Sequence, residues 1–242
     1  DGITGIASTS KINAKGTLNV DGIVDYDGTA IAENTTGNAK AKVGTNHEPL
    51  QDMVATLLVD SGGVNSGSNM HISGTTEVDT IAKATTHSGK ASASVDSDPV
   101  KGIKSNAGVR YKAKGDLTLD GKATFTADVD SRSTGTNVYA ENSSASADLA
   151  NTLGVDLSNL DSTPSTNPNQ LKAKGAIEVD GTVSTNLNSK ALNTTGESTA
   201  STTTSLQKGI LISNNSSGNI EIEVPNELEK SLDPKQGKGN PD

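Results

Sequence analysis

The sequence predicts an all-β fold: tandem long β-hairpins forming an extended layered sheet, sandwich- or solenoid-like, continued between subunits. Three observations carry that expectation. A segment of alternating residues occurs four times along the chain. Each copy runs into a short polar turn containing glycine, and a second alternating segment follows. The helical spacing of apolar residues, three and four apart, is missing from all of them.

The clearest copies open on Ala14-Lys15-Gly16, Ala113-Lys114-Gly115 and Ala173-Lys174-Gly175, and a fainter one on Ile72-Ser73-Gly74. In the first, Leu18, Val20, Gly22, Val24, Tyr26, Gly28, Ala30 and Ala32 share one parity. The second has Met70, Ile72, Gly74, Thr76, Val78, Thr80, Ala82 and Ala84. The third has Leu117, Leu119, Gly121, Ala123, Phe125, Ala127 and Val129, and the fourth Ile177, Val179, Gly181, Val183, Thr185, Leu187 and Ala191. The opposite parity is Lys, Asp, Asn and Thr. Side chains alternate between the two faces of a strand, so period two marks one apolar and one polar face.

The first and fourth copies end in one turn, Asn34-Thr35-Thr36-Gly37 and Asn193-Thr194-Thr195-Gly196. The others end in His87-Ser88-Gly89 and Ser133-Thr134-Gly135. Glycine there supplies the positive φ that a tight turn needs. Return strands follow around Ala39, Ala91, Ala145 and Ala200. Parallel stacking of these units and antiparallel meandering would leave the same pattern.

Overlaid on their glycines, the copies form two pairs. Gly16 and Gly115 are 99 residues apart, and Gly74 and Gly175 are 101 apart. This divides the chain into two hairpin-pair repeats, 1–101 and 102–208. Apolar linkers at 50–59 and 149–160 read as short helices or further strands. A Gly-Ile dipeptide opens each block, at Gly5-Ile6 and Gly102-Ile103, and recurs at Gly209-Ile210. Residues 209–242 therefore read as an unfinished third repeat with a polar tail. An unfinished repeat leaves an edge strand, which is a template for pairing with another chain. Ile210, Ile212, Ile220, Ile222 and Val224 are the expected assembly positions, with 3–10 as a second such strand.

Composition says why the chain needs a neighbour. Only 31% is hydrophobic and 2% aromatic, with no Trp and one Phe. Small inward residues bury little area each, so stability rests on backbone ladders and close sheet packing. Those conditions are met in a long sheet or one that continues from copy to copy. The net charge of −9 argues against nucleic acid. No apolar run approaches the roughly 18–20 residues of a membrane span. With no Cys, neither disulfides nor thiolate metal sites contribute. Asp1 reads as the start of a processed, exported chain.

Candidate chemistry is sparse. His47, His71 and His87 are scattered, with no nucleophile elbow and no metal-ligand spacing, so no enzyme activity and no cofactor is expected. Asp-Gly steps recur at Asp21-Gly22, Asp120-Gly121 and Asp180-Gly181, and Asp25-Tyr26-Asp27-Gly28 adds a DxDG element. Glycine bulges with solvated carboxylates are the favoured reading. Calcium at Asp21, Asp25, Asp27, Asp120 and Asp180 is the weaker one, because a complete calcium loop is missing. Five sequons, at Asn34, Asn142, Asn193, Asn214 and Asn215, are candidate attachment points for covalent glycans.

In its repeated Ala/Gly/Thr-rich, Cys-free AKG…DG…NTTG units, with Asp1 as a mature start, the chain resembles the amyloid-like major sheath protein of filamentous methanogenic archaea. The resemblance covers roughly residues 10–224 in style. It implies an extracellular, passive envelope role built from copies of the chain, with no catalytic residues. The alternative is a monomeric repetitive β-domain of a surface adhesin or stalk that binds sugar or protein. That reading calls for an exposed aromatic or ligand cluster, which the sequence does not show. A polysaccharide-processing β-helix enzyme would need convergent charged groups, whereas the Asp residues here are periodic.

Overall fold

The structure, a computed structural model, describes residues 2–44, 52–58, 63–105, 109–135, 142–157, 169–212 and 221–223. His47, Asn214, Asn215, Ile220 and Val224 lie outside these. The described chain is all-β and passes four times through the same four strands. The first coil is β1 (Ile3–Ser8), β2 (Ile12–Ala14), β3 (Leu18–Asn34) and β4 (Ala39–Val43). The second is β5 (Met53–Leu58), β6 (Val64–Ser66), β7 (Met70–Thr86) and β8 (Ala91–Ser97). The third is β9 (Val100–Ser105), β10 (Tyr111–Ala113), β11 (Leu117–Ser133) and β12 (Ser143–Leu149). The fourth is β13 (Thr152–Leu157), β14 (Asn169–Ala173), β15 (Ile177–Asn193) and β16 (Ser198–Thr204). A fifth coil begins with β17 (Gln207–Ile212) and β18 (Glu221–Glu223).

Equivalent strands stack in parallel into four sheets. Sheet I is β1-β5-β9-β13-β17, sheet II β2-β6-β10-β14-β18, sheet III β3-β7-β11-β15 and sheet IV β4-β8-β12-β16. The layered, solenoid-like all-β architecture expected from the alternation is what the chain adopts. The long strand and its return strand do not pair with each other, however. Each bonds to its own copies in the coils before and after, so the expected hairpin is an arch. A hairpin would leave both apolar faces on one side of a single sheet, needing cover. In the arch the two faces close on each other, and Val24, Ala39, Ala41 and Val43 join one core.

The long strands also correct the alignment of the repeats. Leu18, Met70, Leu117 and Ile177 stand in one column, as do Gly22, Gly74, Gly121 and Gly181. The second copy aligns on a different glycine: Gly74 matches Gly22 and not Gly16. The repeating unit is one coil, with equivalent residues 47 to 60 apart. The boundaries drawn at 101/102 and 208/209 fall inside β9 and β17, at the start of the third and fifth coils. The apolar linkers are strands β5 and β13, not helices. Both are buried on both faces, with Val54 at 3% and Leu153 at 2% exposure, and such strands read as continuous apolar runs. Lys101, on the same sheet, makes a buried 2.8 Å ion pair with Asp156.

Sheet III, 17 residues wide, packs against sheets I and IV side by side. Between the two resulting cores lies a waist of glycine. A Cβ placed on Gly74 would fall on the carbonyl of Gly102, and one on Gly121 on that of Gly154. A Cβ on Gly102 would meet Gly74 O at 2.6 Å and Gly154 O at 2.7 Å. The glycine bulge expected in the long strands is not there, because their register runs unbroken through Gly22, Gly74, Gly121 and Gly181. The irregularity is in the facing sheet, where pairing skips Gly5 and its counterparts.

One core lies on each side of the waist. Tyr111 sits in the first, its hydroxyl bonded to Ser105 Oγ. Burial pushes the phenol well above its ordinary pKa. The second core holds Phe125, 1% exposed, stacked between Val78 and Thr185. Phe125→Ala leaves a cavity in a core otherwise made mostly of Ala and Val. It is expected to lower unfolding free energy by about 3–5 kcal/mol, read from the urea midpoint. A loss below about 1 kcal/mol would mean the site collapses or is not packed as described.

Candidate assembly edges

The terminal coils differ from the inner ones in burial. The inward side chains of β7 and β11 are buried throughout, for example Ile72 and Leu119 at 0% exposure. Their counterparts Val20 on β3 and Val179 on β15 are half-buried, and so are Tyr26, Leu187 and Ala191. Every residue of β16 is exposed. Among the described residues the two ends of the stack are therefore open cross-sections of the same core.

The backbone gives those ends a direction. In sheet III, inward-facing residues donate toward the later coil: Leu18 N–H to Asn69 O at 3.0 Å, Met70 N–H to Asp116 O at 2.8 Å, Leu117 N–H to Ala176 O at 2.8 Å. Their carbonyls point the same way, Asn34 O accepting from His87 N–H at 3.2 Å and Ser133 O from Thr194 N–H at 3.2 Å. The outward-facing residues between them point backward, as a parallel ladder requires. Among the described residues β15 pairs only with β11, and β3 only with β7. So Ile177, Val179, Val183, Thr185 and Leu187 turn donors and acceptors out of one end. Asn19, Asp21, Asp25, Asp27 and Thr29 turn theirs out of the other. The two rows are complementary in the same sense as each coil-to-coil interface inside the molecule. At about 3.3 Å per residue, each long edge runs roughly 55 Å.

The carboxylates read as weak calcium candidates all lie on the outer face of sheet III. Asp21, Ser73, Asp120 and Asp180 form one column, with Ser73 Oγ donating to Asp21 Oδ1 at 2.5 Å. Asp25 stands beside Glu77, and Asp27 beside Asp79. Among the described residues no three acidic or His side chains converge as a metal would need. Cations lie between the acids: Lys83 Nζ is 3.9 Å from Asp128, and Arg132 makes a 2.6 Å contact with Asp130.

Asn34, Thr86, Ser133 and Asn193 share a column at the arch tips. Asn34 Oδ1 accepts from Thr36 N–H at 3.3 Å, and Asn193 Oδ1 from Thr195 N–H and Gly196 N–H, both at 3.1 Å. Of the turn glycines, Gly37 and Gly89 have positive φ, 93° and 116°. Asn142 is exposed and its Oδ1 accepts from Glu197 N–H at 3.3 Å. His71 and His87 are exposed and far apart in sequence register, one at each end of β7. His87 lines an open depression of about 500 Å³ with Glu33, Asn34, Thr35, Thr85, Thr86 and Thr134.

Of the expected assembly residues, Ile210 lies on β17 and is 38% exposed, and Ile212 and Ile222 fall on β17 and β18. Residues of 3–10 form β1, where Ile3 and Ile6 are 39% and 38% exposed. The widest free edges, β3 and β15, were not singled out by the sequence. The fold and its ends define a class: a parallel β-solenoid with two unlike, mutually complementary ends. Compared with known protein families, curated proteins and solved structures, the chain matches none.

Proposed function

We propose that this chain is an extracellular structural protein that self-assembles end to end, through its β-strands, into a sheath, tube or filament around or on cells. The complementarity of the two open ends carries the reading. A copy docked with β3 on β15 repeats the interface that already joins β3 to β7, β7 to β11 and β11 to β15. The half-buried side chains of both terminal coils would then be closed over. The low aromatic content fits a fold whose cohesion lies in continuous ladders. Asn34, exposed, and Asn193, half-buried, at the arch tips are the proposed glycan positions, checked by intact mass in a glycosylating host.

Electron microscopy of the purified chain is expected to show fibres or tubes that resist heating in detergent. Monomer at every concentration would overturn the reading. In that case the polar depression at the arch tips favours the second one, a repetitive surface domain whose sugar ligand lies against Asn34, Thr85 and His87. Docking also places Asp180 beside Asp21 of the next copy, on a chain of net charge −9. Assembly is therefore expected to be faster at about 0.1 M salt, where the screening length is about 10 Å, than at about 0.01 M, where it is about 30 Å. Light scattering reads the rate, and a rate that falls with salt counts against this joint.

A further inference from the structure

We propose that β17–β18 of one copy and β1–β2 of the next compete for a single place in the stack, and that β17–β18 hold it while residues 3–14 of the incoming copy are released. The inference rests on the end-to-end reading and adds to it the identity of the strand at the joint. The starting point is a mismatch in strand number. Among the described residues sheets I and II have five strands, and sheets III and IV have four.

Glycine contacts fix how sheets I and III are staggered. A Cβ on Gly22 would fall on Ala55 O, on Gly74 on Gly102 O, on Gly121 on Gly154 O, and on Gly181 on Gly209 O. A Cβ on Gly5, Gly102 or Gly154 would in turn meet Ile23 O, Lys122 N or Thr182 N of its own coil. Each sheet III strand thus lies between two sheet I strands, β3 between β1 and β5, and β15 between β13 and β17. It follows that β1 projects beyond β3 at one end of the stack and β17 beyond β15 at the other. When the incoming β3 sits on β15, the incoming β5 sits on β17, and the incoming β1 is directed to the layer β17 already occupies. Keeping both strands would hold β3 a full layer away from β15, and the 17-residue ladder of sheet III would not form.

Either strand fits the place. A Cβ at Gly209 would fall on Gly181 O, and both strands carry Gly-Ile at that position, as Gly5-Ile6 and Gly209-Ile210. As edge strands the two are alike: β17 pairs with β13 and is backed by β15, β1 pairs with β5 and is backed by β3, and Gln207, Lys208 and Ile210 are exposed as most of β1 is. Their apolar content separates them and favours β17. In the closed joint the occupant is buried between β13 and the incoming β5. The run Ile210-Leu211-Ile212 is more apolar than Ile6-Ala7-Ser8, so it gains more from that burial. In the joint Ile210 takes the place beside Thr56 of the incoming copy that Ile6 holds within one copy.

Hydrogen exchange read by mass spectrometry, on the full chain as monomer and as polymer, tests this. On assembly, Gln207–Ile212 is expected to gain at least about tenfold protection while Ile3–Ser8 falls to the rate of an unstructured segment. A companion chain lacking residues 1–14 is expected to polymerise at the same or a lower critical concentration. Protection of Ile3–Ser8 in the polymer overturns the proposal, as does release of Gln207–Ile212 in its place. A raised critical concentration for the shortened chain, with its monomer folded, does so too. Failure of the full chain to polymerise is a different result, which removes the end-to-end reading itself.

Discussion

Gly121→Val is expected to cost about 4 kcal/mol or more of unfolding free energy and to leave little folded protein at room temperature. The residue is fully enclosed at the waist, where sheet III presses on sheet I. The added Cβ would fall on Gly154 O, and the Cγ atoms would meet Val155, whose Cγ2 already lies 2.7 Å from the Cβ position. Rotamer changes cannot relieve a clash with backbone. Only separation of the two sheets can, and that opens the cores on both sides. Gly16→Ala is the control, because a Cβ there meets nothing within 4 Å. It is expected to change stability by no more than about 0.5 kcal/mol. Circular dichroism against urea reads both. Equal midpoints for the two variants would mean the glycine column is not a packing contact.

Thr29→Pro is expected to leave the monomer folded and to weaken assembly. Thr29 is exposed on the outer face of β3, and its parity turns its N–H toward the N-terminal end of the stack. Proline there removes no bond to β7 but removes a donor at the joint and places its ring in the path of the incoming β15. Gly28 precedes it and tolerates the restriction that proline puts on its neighbour. The critical concentration is expected to rise at least about tenfold, equivalent to about 1.4 kcal/mol per joint. Ala30→Pro, one residue on, has its N–H on the β7 side. It is expected to destabilise the monomer itself by about 3 kcal/mol. Unchanged assembly by Thr29→Pro, measured by sedimentation, would place the joint elsewhere.

The sequence showed the faces of the sheets well and their neighbours poorly. Period two assigned Leu119, Ala123, Phe125 and Ala127 to the interior, and all four are buried. Alternation records which side of a strand is apolar, and that is a local property. It does not record whether the return strand bonds to its predecessor or only faces it, so arch and hairpin looked alike. Glycine was ambiguous for a similar reason. Gly16 stands at an open corner and Gly74 is pressed against Gly102, two roles that share one letter. The second coil has Ser68 at the corner position, so its first glycine in the alternating run is the waist residue Gly74. The edges β3 and β15 were missed because an edge is defined by position in the stack. The nearest signal was compositional: β15 has Thr185 and Ser189 where β11 has Phe125 and Val129.

The one-way run of backbone bonds between coils also bears on how many copies an assembly can contain. A twofold pair would consume one end from each partner and then stop. Docking of unlike ends leaves one of each kind after every addition, so no particular copy number is encoded. If the rotation per step closes on itself, the product is a ring of definite size. If it does not, the product is an open helix whose length is set by supply and by whatever occupies its last free face.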